Sequence, residues 1–220
     1  FSSVSGQLAD KFETSMMFRR TKFAELILMC VAAIAFATGT GWLAIAMLFA
    51  MGAYAAICRE EGRPMEFSGG PPFIQQMSDS RLIARGFEWA ADNPAAANQH
   101  FNIANGDIVI WQHLYPAIAR HFGVELAPPR PFPLAEAMPA KEDIWRRIVE
   151  THGLKPLGLA ETVGPSWLFA DFVLGFGKKP SATVLSTIKL QQAGFHDCMD
   201  SEDAMIEWFR DLQARRILPE

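Results

Sequence analysis

The sequence predicts an α/β fold, and three observations support that prediction. From residue 59 onward, short apolar runs alternate with longer segments of helical period. Clusters of Gly, Pro, Asn and Asp separate them, as turns between strands and helices require. Half of the 220 residues are hydrophobic and a fifth are charged, so one or at most two compact domains can bury a sizeable core.

The chain begins with its most apolar stretch. Residues 26–58 contain no charged side chain, and Arg19, Arg20 and Lys22 lie just upstream. A hydrocarbon core about 30 Å thick needs roughly 20 apolar helical residues, so the stretch is long enough for a membrane span. However, Thr38-Gly39-Thr40-Gly41 divides it, and glycines are poor helix interior. A buried helix over 42–58 is the preferred reading, with a membrane anchor using 26–58 as the alternative. Gly39-Thr40-Gly41-Trp42-Leu43-Ala44 also fits the G-x-G-x-x-A dinucleotide fingerprint, with Glu66 as the nearest acidic partner downstream. A lone short match in Gly/Ala-rich sequence is weak, and a turn before a packed helix explains it as well.

The elements then follow in order. Gly62 stops the first helix. Residues 64–68 read as a short strand and Gly69-Gly70-Pro71-Pro72 as a loop. Ser78 can cap a helix reaching about Ala91. Residues 100–104 read as a strand, with a turn at Asn105-Gly106-Asp107. A helix over 111–122 stops at Gly123, and 124–133, with four prolines, is an extended connection. Residues 141–152 form an amphipathic helix, 167–174 are apolar and expected to be buried, and 183–193 and 201–214 are two more helices. In the last, Ala204, Met205, Trp208, Phe209 and Leu212 make one apolar stripe.

Few residues announce chemistry. The net charge is −4, with no dense basic stretch, which excludes a nucleic-acid footprint. Cys30, Cys58 and Cys198 are an odd number without metal-type spacing, which fits a reducing, cytoplasmic setting. His113 and His121 are too far apart to be adjacent-turn ligands, and His196 stands alone. Asp197, Asp200, Glu202 and Asp203 crowd the start of the last helix, where its dipole favours them. The two tyrosines, Tyr54 and Tyr115, are not in a Tyr-x-x-x-Lys pair. The chain begins with Phe1, which suggests that a natural N-terminus has been lost.

From residue 54 onward the chain resembles the progesterone 5β-reductase/iridoid synthase family of extended short-chain dehydrogenases/reductases. The similarity starts at Tyr54-Ala55-Ala56-Ile57-Cys58 and Asp79-Ser80-Arg81-Leu82-Ile83-Ala84. It continues through Glu88-Trp89-Ala90-Ala91, Phe101-Asn102-Ile103-Ala104-Asn105-Gly106-Asp107 with Trp111, and Trp145-Arg146-Arg147-Ile148-Val149. Trp167-Leu168-Phe169-Ala170-Asp171, Lys189, Gly194-Phe195, Ser201 and Leu218-Pro219 follow in order. The resemblance implies part of a Rossmann-type NAD(P)-binding sheet with an α-rich C-terminal substrate-binding lobe over 42–220, preceded by a non-matching segment, 1–41. It implies NADPH as the family's cofactor, and reduction of carbon–carbon double bonds conjugated to a carbonyl in small apolar substrates. The family's nucleotide site and catalytic Tyr and Lys map onto nothing here, so this chain is expected to bind no cofactor and to be inactive alone. Carried over by position, Phe195, Ser201 and Met205 would face the substrate. Core packing for Phe195 and Met205, and a helix cap for Ser201, are equally good readings. A non-enzymatic binding domain is a further alternative, and a homodimer is allowed.

Overall fold

The computed structural model describes residues 46–177, 182 and 184–220. The segment 1–41, the Gly39 match, the first part of the apolar run and Thr183 lie outside the described residues.

Helix α1, Ala46–Glu60, is the centre of what is described. Ala50, Met51, Ala53, Tyr54, Ala55, Ile57 and Cys58 have no solvent-accessible surface. A helix that is apolar around its whole circumference must be enclosed, by lipid or by protein. Here protein encloses it. Along the chain follow α2 (Ser80–Asp92), α3 (Trp111–His121), α4 (Leu134–Ala137), α5 (Glu142–His152), α6 (Leu159–Val163), α7 (Ser166–Val173), α8 (Ile188–Gln192) and α9 (Ser201–Ala214). Of these, α3, α5, α6, α7 and α9 pack directly on α1. No helix among the described residues is long and apolar enough to cross a membrane. The described half of the apolar run is therefore a core helix, as preferred from the sequence.

The expected sheet is not present among the described residues, which are helix-rich. Residues 64–68 hold one isolated bridge, Met65 with Leu126, and 100–104 hold none, the nearest being Gly106 with Met199 just beyond them. A third bridge joins Gln75 to Val109. The first bridge shows why no ladder forms. The Met65 N–H donates to the Glu125 carbonyl at 2.7 Å, and the Ala127 N–H returns to Met65 at 2.9 Å. The next donor from this segment in a parallel ladder would be the N–H of residue 129, and Pro129 has none. Pairing resumes only at Arg130 N–H to Phe67 O, 3.1 Å, and Phe132 N–H to Ser68 O, 3.0 Å.

Helix ends follow local chemistry with two corrections. Asp79, not Ser78, caps α2, its carboxylate accepting from the Arg81 N–H at 2.8 Å. Asp200, not Ser201, caps α9, accepting from the Asp203 N–H at 2.9 Å, and Ser201 is the first helical residue. Gly123 ends the chain's turn out of α3 in the left-handed region, φ 65°, as its position suggested. Of the helix expected over 183–193, only α8 forms. The 167–174 segment is buried on one stripe alone. Trp167, Ala170 and Leu174 face the core, whereas Leu168, Phe169 and Phe172 are exposed, because a helix against one wall presents every third or fourth residue to it.

Two glycines mark backbone contacts that sequence inspection reads only as a loop. Gly70 donates to the Leu174 carbonyl at 3.0 Å. A Cβ on Gly69 would strike the Leu174 carbonyl oxygen and one on Gly70 the Gly175 carbonyl oxygen. At the other end of the fold, Leu218 is buried and lies where a Cβ on Gly52 would fall. We expect Gly69→Ala to destabilise the protein by about 1–3 kcal/mol, the range for overpacking a site that cannot relax. A urea midpoint unchanged from the parent chain would show that the 69–70 turn can move away from α7.

Candidate functional site

The most connected polar group in the structure joins three segments far apart in sequence. The Asp79 N–H donates to Asn105 Oδ1 at 2.7 Å, and Asn105 Nδ2 donates to Ser201 Oγ at 3.0 Å. Ser201 in turn donates from Oγ to Asp107 Oδ1 at 2.7 Å and from its N–H to Asp107 Oδ2 at 2.9 Å. Asp79 also receives Arg81 Nε at 2.9 Å, Arg81 Nη2 at 3.0 Å and Trp208 Nε1 at 2.8 Å. Asn105 and Asp107, read from sequence as a local turn network, thus tie the start of α2 to the start of α9. Asp79, Asn105 and Ser201 are buried and satisfied, which is the condition under which buried polar groups stabilise a fold rather than weaken it. Burial works to raise the Asp79 pKa, but the bonds from Arg81 and Trp208 outweigh it, and the carboxyl is held below the usual range.

Phe195 follows α8 and Gly194, which has φ 103°. Its ring is 5% exposed and packs with Leu82 and Leu190. The half-buried side chains of Trp89, Phe101, Ile103 and Met199 surround this cluster, with the Trp89 ring 5.7 Å from Phe195. Lys189 ties the same region together, donating to the His100 carbonyl at 3.0 Å with its ammonium over the Phe101 ring. Met205 is buried one turn along α9 from Ser201. So Ser201 and Met205 share a helix, and Phe195 sits in an aromatic cluster of its own.

A cavity of about 510 Å³ lies elsewhere, lined by Arg63, Pro64, Glu66, Arg130, Phe132, Ala137, Met138 and Lys141. None of Phe195, Ser201 and Met205 borders it. Of its residues, sequence reasoning singled out Glu66 alone, and for a different role, as the acidic partner of the Gly39 match. The only available signal was Arg130 within Pro128-Pro129-Arg130-Pro131, where prolines fix the backbone that presents a cation.

The described tyrosines are structural. Tyr54 Oη bonds the Glu66 backbone at 3.2 Å and Tyr115 Oη donates to Met51 Sδ at 3.1 Å. Burial pushes both phenols well above their ordinary range, which suits neither to proton transfer near neutrality. Burial also pushes the Cys58 thiol up to about 11. No cluster of three or more His, Cys, Asp and Glu among the described residues could hold a metal ion. The backbone of Leu174 and Gly175 closes on Gly69-Gly70, so this glycine pair does not present its backbone openly as a phosphate-binding turn would.

No protein-family profile matches the chain. Individual proteins do. An (S)-8-oxocitronellyl enol synthase of Nepeta racemosa is 35% identical over 173 residues, covering 76% of this chain and 43% of that protein. A 3-oxo-Δ4,5-steroid 5β-reductase of Arabidopsis thaliana is 36% identical over 172 residues, with the same coverage. An (S)-8-oxocitronellyl enol synthase of Camptotheca acuminata is 34% identical over 173 residues. Over the matched stretch, the chain matches members of the progesterone 5β-reductase/iridoid synthase family. It spans less than half the length of these relatives.

The Asp79 carboxyl gives a pH test. Its folded pKa lies below the unfolded value of ~3.9, so its contribution to stability is complete above that value and is lost as pH falls through the folded pKa. Asp79→Asn should therefore lower the unfolding midpoint at pH 7 and flatten the acid limb of the stability profile. Equal destabilisation at pH 7 and at pH 2 would show that the charge is not what Arg81 and Trp208 hold.

Proposed function

We propose that this chain is the substrate-binding part of a reductase acting on carbon–carbon double bonds conjugated to a carbonyl, inactive when alone. The observation that carries this reading is the continuous match over 173 residues to an enol synthase, and over 172 to a steroid 5β-reductase, at about a third identity. In the family the resemblance points to, NADPH supplies the hydride when bound. In this reading no step is assigned to it, and this chain is proposed to bind none with useful affinity.

What these residues supply, in this reading, is shape. Phe195, Ser201 and Met205 are proposed as contributors to the substrate wall of the complete enzyme. The half-buried rim of Trp89, Phe101, Ile103 and Met199 beside Phe195 supports an apolar guest, since large rigid rings bind apolar carbonyl compounds with little loss of side-chain freedom. Ser201, held by Asn105 and Asp107, fixes the start of the helix on which Met205 lies. The buried free thiol of Cys58 and the free Cys198 support a reducing, cytoplasmic setting.

Two experiments test the proposal. NADPH titrated against the purified chain should leave the nucleotide fluorescence unchanged through the micromolar range; saturable binding would refute the cofactor part. Residues 54–219 exchanged for the matching part of the Arabidopsis reductase should give a hybrid that consumes NADPH with an enone. A folded hybrid that binds enones yet never oxidises NADPH would instead favour a binding domain. Within the active hybrid, Phe195→Leu should raise KM for bulky enones severalfold with a smaller change in kcat. Phe195→Ala in the parent chain should cost about 3–5 kcal/mol of stability, as loss of a buried ring does.

A further inference from the structure

The cavity lined by Arg63, Arg130 and Lys141 is unexplained by the reading above. It is built by different segments from those that hold Phe195, Ser201 and Met205: the exit from α1, the proline-rich connection, and the residues around α4. Its volume falls within the range of small-molecule sites, roughly 300–1,000 Å³.

Its chemistry has two halves. One is apolar: Pro64, Phe132, Ala137 and Met138 line it, and Met138 is fully buried. The other is charged and unequal. The Glu61 carboxylate takes Arg63 on one oxygen and Lys141, at 2.6 Å, on the other. Glu66 takes Arg130 twice, Nε at 2.7 Å and Nη2 at 2.6 Å. Three cations therefore share two carboxylates, leaving the cluster one positive charge in excess. The guanidinium groups are also pre-positioned, Arg63 over the Tyr54 ring at 5.7 Å and Arg130 over the Phe132 ring at 5.3 Å. Glu66 engages Nε and Nη2 of Arg130, which leaves its Nη1 for a further acceptor, and Lys141 Nζ can donate three bonds. An ordinary solvated ion-pair face lacks the apolar wall that this cluster borders.

We propose that this cavity binds an amphipathic anion: an apolar chain lying against Phe132, Ala137 and Met138, with a carboxylate or phosphate head between Arg130 and Lys141. Both head groups fit the same fork chemistry, since an Arg guanidinium pairs with either. All the residues proposed to form the site belong to this chain, so it can be tested in the 220-residue chain.

The test is calorimetric titration of the 220-residue chain with decanoate, decyl phosphate and decanol, each below its micelle-forming concentration. One saturable site should appear for decanoate or decyl phosphate, and the tighter of the two identifies the head group. Decanol should bind at least tenfold more weakly. Arg130→Gln, at a side chain two-thirds exposed, should weaken the anion about tenfold without altering the fold. Ala137→Trp, which fills the cavity and leaves every charge in place, should weaken it at least as much, with circular dichroism confirming the fold. Decanol binding as tightly as decanoate would overturn the anion part. Binding unchanged in a folded Ala137→Trp variant would overturn the cavity part. Loss of binding with modest added salt in that variant and in the parent alike would show only surface charge.

Discussion

Two helix starts depend on one chain of hydrogen bonds. Asn105 accepts from the backbone entering α2 and donates to Ser201, the first residue of α9, while Asp107 closes on Ser201 from the other side. The Asn105–Ser201 bond alone spans 96 residues of sequence, and through Asn105 it joins the two helix starts. Each participant is satisfied only if all three segments are in register, because an unpaired buried amide or hydroxyl is costly. That mutual requirement also sets what lies on the helices: Leu82 under Phe195 on one, and Met205, Phe209 and Leu212 against the core on the other. Arg81 and Trp208, one from each helix, then meet on the same Asp79 carboxylate.

Where the sequence was legible, the signal was local. Gly62, Gly123 and Gly153 end helices in the left-handed region because an L side chain there would be strained. The bounds of α9 and the burial of Ala204, Met205, Phe209 and Leu212 followed from period and from the acidic cluster at its start, whereas Trp208, read into the same stripe, is half-buried and donates to Asp79. The enclosure of α1 was legible in part: an all-apolar helix states that it is surrounded, and not by what.

What was not legible depended on distant partners. Residues 64–68 have strand composition, yet Pro129 on the facing segment lacks the donor the next rung of the ladder needs. Asn105 and Asp107 have turn composition, and their partners are backbone and hydroxyl groups from other elements. The exposed face of α7 illustrates the same limit, since Leu168 and Phe169 are as apolar as Trp167 and only packing tells them apart. The charged cavity was hidden because Arg63, Arg130 and Lys141 are spread over nearly 80 residues and converge only in space.

The contact of Gly52 with Leu218 links the middle of α1 to the last residues of the chain. Leu218 occupies the space a side chain at 52 would need, and Gln213 secures the adjoining backbone by donating to the Pro219 carbonyl at 2.8 Å. Size at these two positions is therefore a shared quantity. A methyl group added at 52 meets the tip of Leu218, so the two positions are expected to couple in a double-mutant cycle. Changing either one alone leaves a clash or a void against the most enclosed of the described helices.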